Sequence, residues 1–189
     1  MWFLVAGLFV FLGIHSTRML APAWRESFIE ARGEAPWKGM YTITSIAGMA
    51  LLVWGYGQAR FDNVFLYASP VWLSHLQLLL MVPVMILLVA SNLPAGRIKK
   101  AVKNPMLIAI KIWAIGHILV NGDLASLLLF GTFLIWAVFL VINTNRRNEP
   151  RPETVSVRSD VISVVAGVIA WVVFIFWLHE VITGVPAIA

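Results

Sequence analysis

Six long runs of apolar residues limit what this chain can fold into. They cover roughly residues 2–20, 39–58, 71–91, 105–120, 123–143 and 161–182. An α-helix needs about 20 apolar residues to cross the hydrocarbon core of a bilayer, and exposed backbone polar groups are too costly there for open structures. We therefore predict an all-α protein, a polytopic membrane bundle of about six transmembrane helices that forms a single domain over residues 1–189. The fourth run is short and Asn121-Gly122 signals a turn, so helices 4 and 5 are predicted to form a hairpin.

The composition supports a membrane protein and excludes several kinds of site. Hydrophobic residues make up 60% of the chain and charged residues only 12%, with a mean hydropathy of +0.87. A soluble domain carries about 25% charged residues, so this class is excluded. The chain has no cysteine, which rules out disulfides, thiolate metal ligands and a cysteine nucleophile. No basic segment precedes the first apolar run, and we expect it to be an uncleaved helix rather than a signal peptide.

The basic residues predict the orientation in the membrane. The loops that join helices 1–2, 3–4 and 5–6 hold twelve of the fourteen Lys and Arg residues: Arg18, Arg25, Arg32, Lys38, Arg97, Lys99, Lys100, Lys103, Arg146, Arg147, Arg151 and Arg158. By the positive-inside rule these loops are cytoplasmic and both termini lie on the opposite, periplasmic side. The third loop belongs to a polar, proline-containing linker at 144–160. The pI near 10.0 then reflects topology and contact with anionic lipid, and we expect the bilayer rather than nucleic acid as the partner.

All four histidines, His15, His75, His117 and His179, fall within or at the edge of apolar runs. A lone membrane histidine is often only an interhelical hydrogen-bonding group, but polar side chains in hydrocarbon also mark cavities and ligand sites. At about 1.5 Å of rise per residue, His15 and His117 both reach the middle third of a core about 30 Å thick, whereas His75 and His179 lie nearer the outer face. We therefore nominate His15 and His117 as a pair of metal ligands, with His75 as an alternative ligand.

Haem b is the cofactor that best matches two imidazoles in an apolar, aromatic-rich interior. Zinc usually takes more protein ligands, and no HExxH spacing occurs. Arg18 is predicted either to neutralise a haem propionate or to anchor the first helix at the cytoplasmic surface. Asn121 lies four residues after His117 on the same helix face and is a candidate to orient it. Asp123 is predicted to cap the fifth helix; the alternative is that it accepts a hydrogen bond from an imidazole and fixes its tautomer.

Several motifs carry a resemblance to a known family. They are Gly13-Ile-His15-Ser16, Gly33-Glu-Ala-Pro-Trp-Lys-Gly39, Trp54-Gly-Tyr-Gly-Gln-Ala-Arg60, Trp72-Leu-Ser-His75, Asn104-Pro-Met-Leu and the long segment Trp113-Ala-Ile-Gly-His117-Ile-Leu-Val-Asn121-Gly-Asp-Leu-Ala-Ser126-Leu-Leu-Leu-Phe-Gly131. From about residue 2 to 143 the chain resembles the NnrU family of bacterial inner-membrane proteins. That family was named for its association with nitrite and nitric oxide reduction, so the resemblance implies an inner-membrane location and a role in denitrification-related metabolism.

The NnrU family is in turn similar to the plant zeta-carotene isomerase, which holds haem b with histidines. This similarity implies that His15 and His117 are the ligand positions and that the substrate is an apolar small molecule. This chain departs from the pattern in two ways. The family usually has Arg-His-Pro where this chain has Lys103-Asn104-Pro105, and the isomerase has a cysteine near its second histidine, whereas this chain has no cysteine. A more distant resemblance to isoprenylcysteine carboxyl methyltransferases implies methyl transfer.

Three hypotheses about function therefore follow from the sequence. The first is a haem-dependent isomerase or redox step on an apolar substrate, or a role in nitrogen-oxide metabolism. The second is a non-enzymatic accessory or assembly factor whose polar hairpin contacts a membrane protein partner. The third is a methyltransferase-like membrane enzyme.

Overall fold

The structure, a computed structural model, describes residues 1–61, 63–147, 151 and 155–188. The regular secondary structure of this part of the chain is helical. Its elements are α1 (Trp2–His15), α2 (Thr17–Leu20), α3 (Pro22–Arg32), α4 (Glu34–Ala59), α5 (Val71–Asn92), α6 (Arg97–Val102), α7 (Pro105–Val120), α8 (Leu124–Arg146), α9 (Val157–Val173), a π-helical turn (Phe174–Leu178) and α10 (His179–Thr183). The all-α class predicted from the sequence is confirmed.

The apolar runs correspond to helices, with informative differences at their ends. Three described helices are long and apolar enough to cross a membrane: Val71–Asn92, Leu124–Arg146 and Val157–Thr183. Trp2–His15 and Pro105–Val120 are apolar but shorter, and the total of six crossings stays a prediction. The run predicted at 2–20 is divided at Ser16, where α1 ends and α2 begins. The Ser16 nitrogen and hydroxyl both donate to the Leu12 carbonyl, at 2.9 and 2.7 Å. The predicted linker at 144–160 lies partly outside the described residues.

The chain divides into two compact units, Met1–Val64 and Phe65–Ala189, and each is described by itself. In the first unit α1 packs against α4 through glycines. A Cβ added at Gly55 would lie 2.5 Å from the Leu4 nitrogen, and one at Gly48 would lie 2.8 Å from the Phe11 nitrogen. Small residues allow two membrane helices to approach this closely, so these glycines set the distance between α1 and α4.

In the second unit α5 packs against both α7 and α9, and α8 packs against α7. A cluster of Met81, Val84, Leu87 and Ala109 forms a core between α5 and α7. The Trp171 indole donates to the Leu78 carbonyl at 3.2 Å and joins α9 to α5. These contacts build the walls around the end of α7 that carries His117.

The predicted hairpin between α7 and α8 is present, and the segment before α5 fastens its turn. The Gly122 carbonyl accepts hydrogen bonds from the backbone nitrogens of Leu66 and Tyr67, at 2.7 and 3.1 Å. The Tyr67 hydroxyl donates to the Ile118 carbonyl and lies 3.2 Å from the Asn121 carbonyl. Asp123 caps α8 as predicted, because its carboxylate accepts from the Ser126 nitrogen at 2.8 Å.

Candidate functional site

The imidazole of His117 has a defined tautomer and direction. It lies in the last turn of α7, and its Nδ1 is 2.8 Å from the Trp113 carbonyl oxygen one turn earlier. A carbonyl can only accept, so Nδ1 carries the proton and donates, and Nε2 keeps its lone pair. The side-chain amide nitrogen of Gln77 on α5 lies 3.4 Å from Nε2, a long and weak contact. His117 thus presents a basic nitrogen on the side of α7 that faces α5.

Aromatic side chains fix the plane of this imidazole. Phe130 of α8 stacks on it with ring centroids 4.6 Å apart and an interplanar angle of 25°. Trp113 contacts it at 5.4 Å and also packs edge-on against Phe130 and Phe133, at 4.9 and 5.4 Å. A ring held on two sides and by a hydrogen bond has little rotational freedom, which favours a fixed direction for Nε2.

His117 lines a cavity of about 330 Å³ inside the second unit. This volume is at the lower end of the range of roughly 300–1,000 Å³ that is typical of ligand pockets. Its walls are mainly apolar and come from α5, α7, α9, the π-helical turn and the C-terminal segment: Gln77, Leu78, Met81, Val84, Met85, Leu88, Ala109, Ile110, Trp113, His117, Asn121, Trp171, Phe174, Ile175, His179, Val185, Pro186 and Ala187. The polar groups are amides and imidazoles, and none of these residues is an acid, a lysine or an arginine.

His179 is the site residue that the sequence analysis did not select. It begins α10, directly after the π-helical turn, and lines the same cavity as His117. Its Nδ1 lies 2.7 Å from the Val185 carbonyl. Its position in an apolar run, shared by all four histidines, could have indicated a role at the site. The depth expected for His179, near the outer face, is why only His15 and His117 were nominated.

The other predicted site residues are divided between the two units. His15 and Arg18 belong to the first unit, where Nδ1 of His15 lies 2.6 Å from the Phe11 carbonyl and Arg18 is an exposed residue of α2. The His15 ring packs between Phe11 and Tyr41, with centroids 4.3 and 5.1 Å away. His75 lies in the second unit but is exposed in α5 and does not line the cavity.

Asn121 lines the cavity but contacts His117 through the backbone. Its side-chain nitrogen donates to the His117 carbonyl at 2.9 Å, which closes the last turn of α7. The imidazole itself is oriented by the Trp113 carbonyl rather than by Asn121. Asn121 therefore supports the end of the helix on which the histidine lies.

Tyr67 and Asp123 lie just beyond this helix end, outside the membrane-spanning segments. Desolvation raises the pKa of the Tyr67 phenol above its usual value, and the negative charge of Asp123 raises it further. The phenol accordingly stays neutral and donates its hydrogen bond to the hairpin turn across the physiological pH range.

The side chains available as metal ligands determine whether this site can hold a bare metal ion or a haem. Among the residues described, no group of three or more His, Asp, Glu or Cys side chains is placed to hold a bare metal ion. Haem needs fewer protein ligands, because the macrocycle supplies four nitrogens and the protein supplies one or two axial ligands. An oriented imidazole with an available Nε2 in an apolar, aromatic-walled cavity fits that requirement. No lysine or arginine is among the described residues that line the cavity, so the propionates of a bound haem would need charge partners outside it.

A family model described as NnrU protein matches residues 3–187. The chain belongs to the NnrU family. This match extends beyond the resemblance noted over residues 2–143 and includes the π-helical turn and His179. No curated protein and no solved structure matches the chain. Together with the long apolar helices, family membership identifies the chain as a membrane protein.

Proposed function

We propose that this NnrU-family protein binds haem b in the cavity of its second unit, with His117 as an axial ligand. The observation that supports this most directly is the hydrogen bond from His117 Nδ1 to the Trp113 carbonyl. Metal-ligating histidines characteristically donate their second ring nitrogen in this way, which fixes the tautomer and raises the basicity of the ligating nitrogen.

The surroundings of His117 supply what a bound macrocycle needs. Phe130 and Trp113 hold the imidazole plane, and the methionines Met81 and Met85 give the cavity an adaptable wall. The Gln77 amide is the group that a ligand at Nε2 displaces, and its 3.4 Å contact is weak enough to give way. Haem supplies electron-transfer and Lewis-acid chemistry when bound. The residues of this chain orient the axial nitrogen and exclude water.

The mainly apolar lining favours an apolar small molecule as the second reactant. We propose a redox or isomerisation step on such a molecule. The role in nitrogen-oxide metabolism rests on family membership. The accessory-factor hypothesis competes with this proposal, because it assigns the polar residues of the hairpin to contact with a membrane protein partner.

A spectrum of the purified protein tests haem binding directly. The protein in detergent micelles is mixed with haemin, freed of excess haemin, and recorded in oxidised and reduced form. We expect a stoichiometric Soret band that shifts or is lost in His117→Gly and is restored to its wild-type form in that variant by free imidazole. Ile115→Ala, on the exposed side of the same helix, is the control and should bind haem normally. A wild-type protein that takes up no haem would refute the proposal and favour the accessory factor.

We also propose the location that the basic loops predict: a multi-pass protein of the bacterial inner membrane with both termini in the periplasm. Because the chain has no native cysteine, single cysteines report topology without background. Ser27→Cys in α3 and Ala68→Cys before α5 lie on opposite sides in this topology, and both positions are exposed. In spheroplasts, an impermeant maleimide should label residue 68 and leave residue 27 unlabelled until the membrane is permeabilised. Labelling of residue 27 in intact spheroplasts would reverse the orientation.

A further inference from the structure

Two imidazoles of the second unit share one geometry. Nδ1 of His117 is 2.8 Å from the Trp113 carbonyl, and Nδ1 of His179 is 2.7 Å from the Val185 carbonyl. Since both acceptors are carbonyls, both rings carry their proton on Nδ1 and keep the Nε2 lone pair. Both rings also line the same cavity. Histidines that ligate metals characteristically donate their second ring nitrogen in this way, so both rings meet this requirement.

The π-helical turn explains how His179 reaches the cavity. The turn covers Phe174–Leu178 and ends where His179 begins α10. Trp171, Ile175 and His179 follow at intervals of four residues and all line the cavity. Four-residue steps drift around a regular α-helix, whereas the wider π turn keeps them closer to one face. Single π turns inside α-helices occur frequently at functional sites.

The segment after α10 holds the second imidazole in place. The Thr183 hydroxyl donates to the His179 carbonyl at 2.7 Å, and Gly184 ends the helix in the left-handed conformation with φ of 71°. The chain then turns back so that the Val185 carbonyl reaches His179 Nδ1, and Val185 itself borders the cavity. A substituent at Gly184 would be strained at this φ, so the glycine supports the position of His179.

We infer that His179 is the second axial ligand of the haem that the proposed function places at His117. The inference rests on that proposed function and names a ligand from the same unit, in place of His15 or His75. Its physical basis is the shared cavity, the matched Nδ1 hydrogen bonds and the π turn that directs His179. The iron would then have two imidazole ligands and be six-coordinate and low-spin.

The spin state of the ferric haem separates this inference from the proposed function. Electron paramagnetic resonance and visible spectra are recorded for the reconstituted wild type, His179→Gly, His15→Ala and Glu180→Gln. We expect low-spin wild-type haem, a change to high-spin haem in His179→Gly, and return to low-spin when imidazole is added. Glu180→Gln, at the exposed neighbouring position, is the matched control and should remain low-spin. Stoichiometric haem that remains after excess haemin is removed, with an unchanged circular dichroism spectrum, shows that the His179 variant is folded.

The other outcomes are equally distinct. Haem that stays low-spin in His179→Gly and becomes high-spin in His15→Ala would overturn the inference while leaving haem binding intact. Haem that is high-spin in the wild type would also overturn it, because only one axial ligand is then present. A His179→Gly protein that fails to recover its low-spin signal with imidazole would count against His179 as a ligand. Among the results for these four proteins, only a wild type without haem contradicts the proposed function itself.

Discussion

The close contact between α1 and α4 leads to a sharp prediction about two glycines of one helix. A Cβ at Gly55 would lie 2.5 Å from the Leu4 nitrogen, whereas a Cβ at Gly57 has nothing within 4 Å. Ordinary van der Waals contact begins at 3.4 Å, so α1 must retreat by about 0.9 Å to accept Gly55→Ala. Forcing extra atoms into a close-packed contact costs about 1–3 kcal/mol.

Comparing Gly55→Ala with Gly57→Ala separates the effect of this clash on stability from the effect of helix propensity. Both substitutions place the same methyl group in α4, and each gains about 1 kcal/mol from replacing glycine in a helix. Gly57→Ala should therefore match or exceed wild-type stability, and Gly55→Ala should be about 1–3 kcal/mol less stable than Gly57→Ala. Gly48→Ala and Gly13→Ala form a second such pair. A Cβ at Gly48 would lie 2.8 Å from the Phe11 nitrogen, whereas a Cβ at Gly13 would meet no atom of the described residues within 4 Å.

Unfolding in mixed detergent micelles measures the difference. The variants are titrated with sodium dodecyl sulfate, helicity is followed by circular dichroism, and the midpoints are compared at matched slopes. If Gly55→Ala and Gly57→Ala unfold at the same midpoint, α1 and α4 are not in contact at Gly55, and the packing described for the first unit is wrong.

Two further predictions concern the connections around the helices of the second unit. Tyr67→Phe removes the hydroxyl bond to the hairpin turn and should lower stability by about 0.5–1.5 kcal/mol. Because the folded-state pKa of Tyr67 is raised, wild-type stability should fall as pH rises above about 10, and Tyr67→Phe should lose this part of the alkaline dependence in unfolding titrations. The Asp160 carboxylate accepts hydrogen bonds from the backbone nitrogens of Arg97 and Ile98, at 2.8 and 3.1 Å, and so caps α6. Asp160→Ala removes this cap and should lower the free energy of unfolding by about 0.5–2 kcal/mol. Unchanged midpoints in either variant would show that the corresponding connection does not stabilise the fold.

The sequence predicted the helices well, because apolar runs and turn signals act over neighbouring residues. Asn121-Gly122 marked the hairpin, and the spacing from Asp123 to Ser126 marked a helix cap that the structure contains. The division of the first run at Ser16 was not predicted, because the hydropathy of a whole run does not locate a helix end within it.

The site was predicted only in part. His117 followed from its position between apolar runs, but its orientation depends on Trp113, Phe130 and the tautomer, which no periodicity reveals. His179 was passed over because its position in the run sets it near the outer face. Hydropathy does not reveal that its ring contacts the Val185 carbonyl and lines the same cavity as His117. The pairing of His15 with His117 remains a prediction, since the two residues belong to different units.

The most direct test of the account is the visible spectrum of the purified protein after haemin reconstitution and reduction, compared between wild type and His117→Gly. We expect a stoichiometric Soret band in the wild type, its shift or loss in His117→Gly, and its recovery in that variant on addition of imidazole. A wild-type protein that remains colourless after reconstitution, or a His117→Gly variant with an unchanged spectrum, would contradict haem ligation by His117.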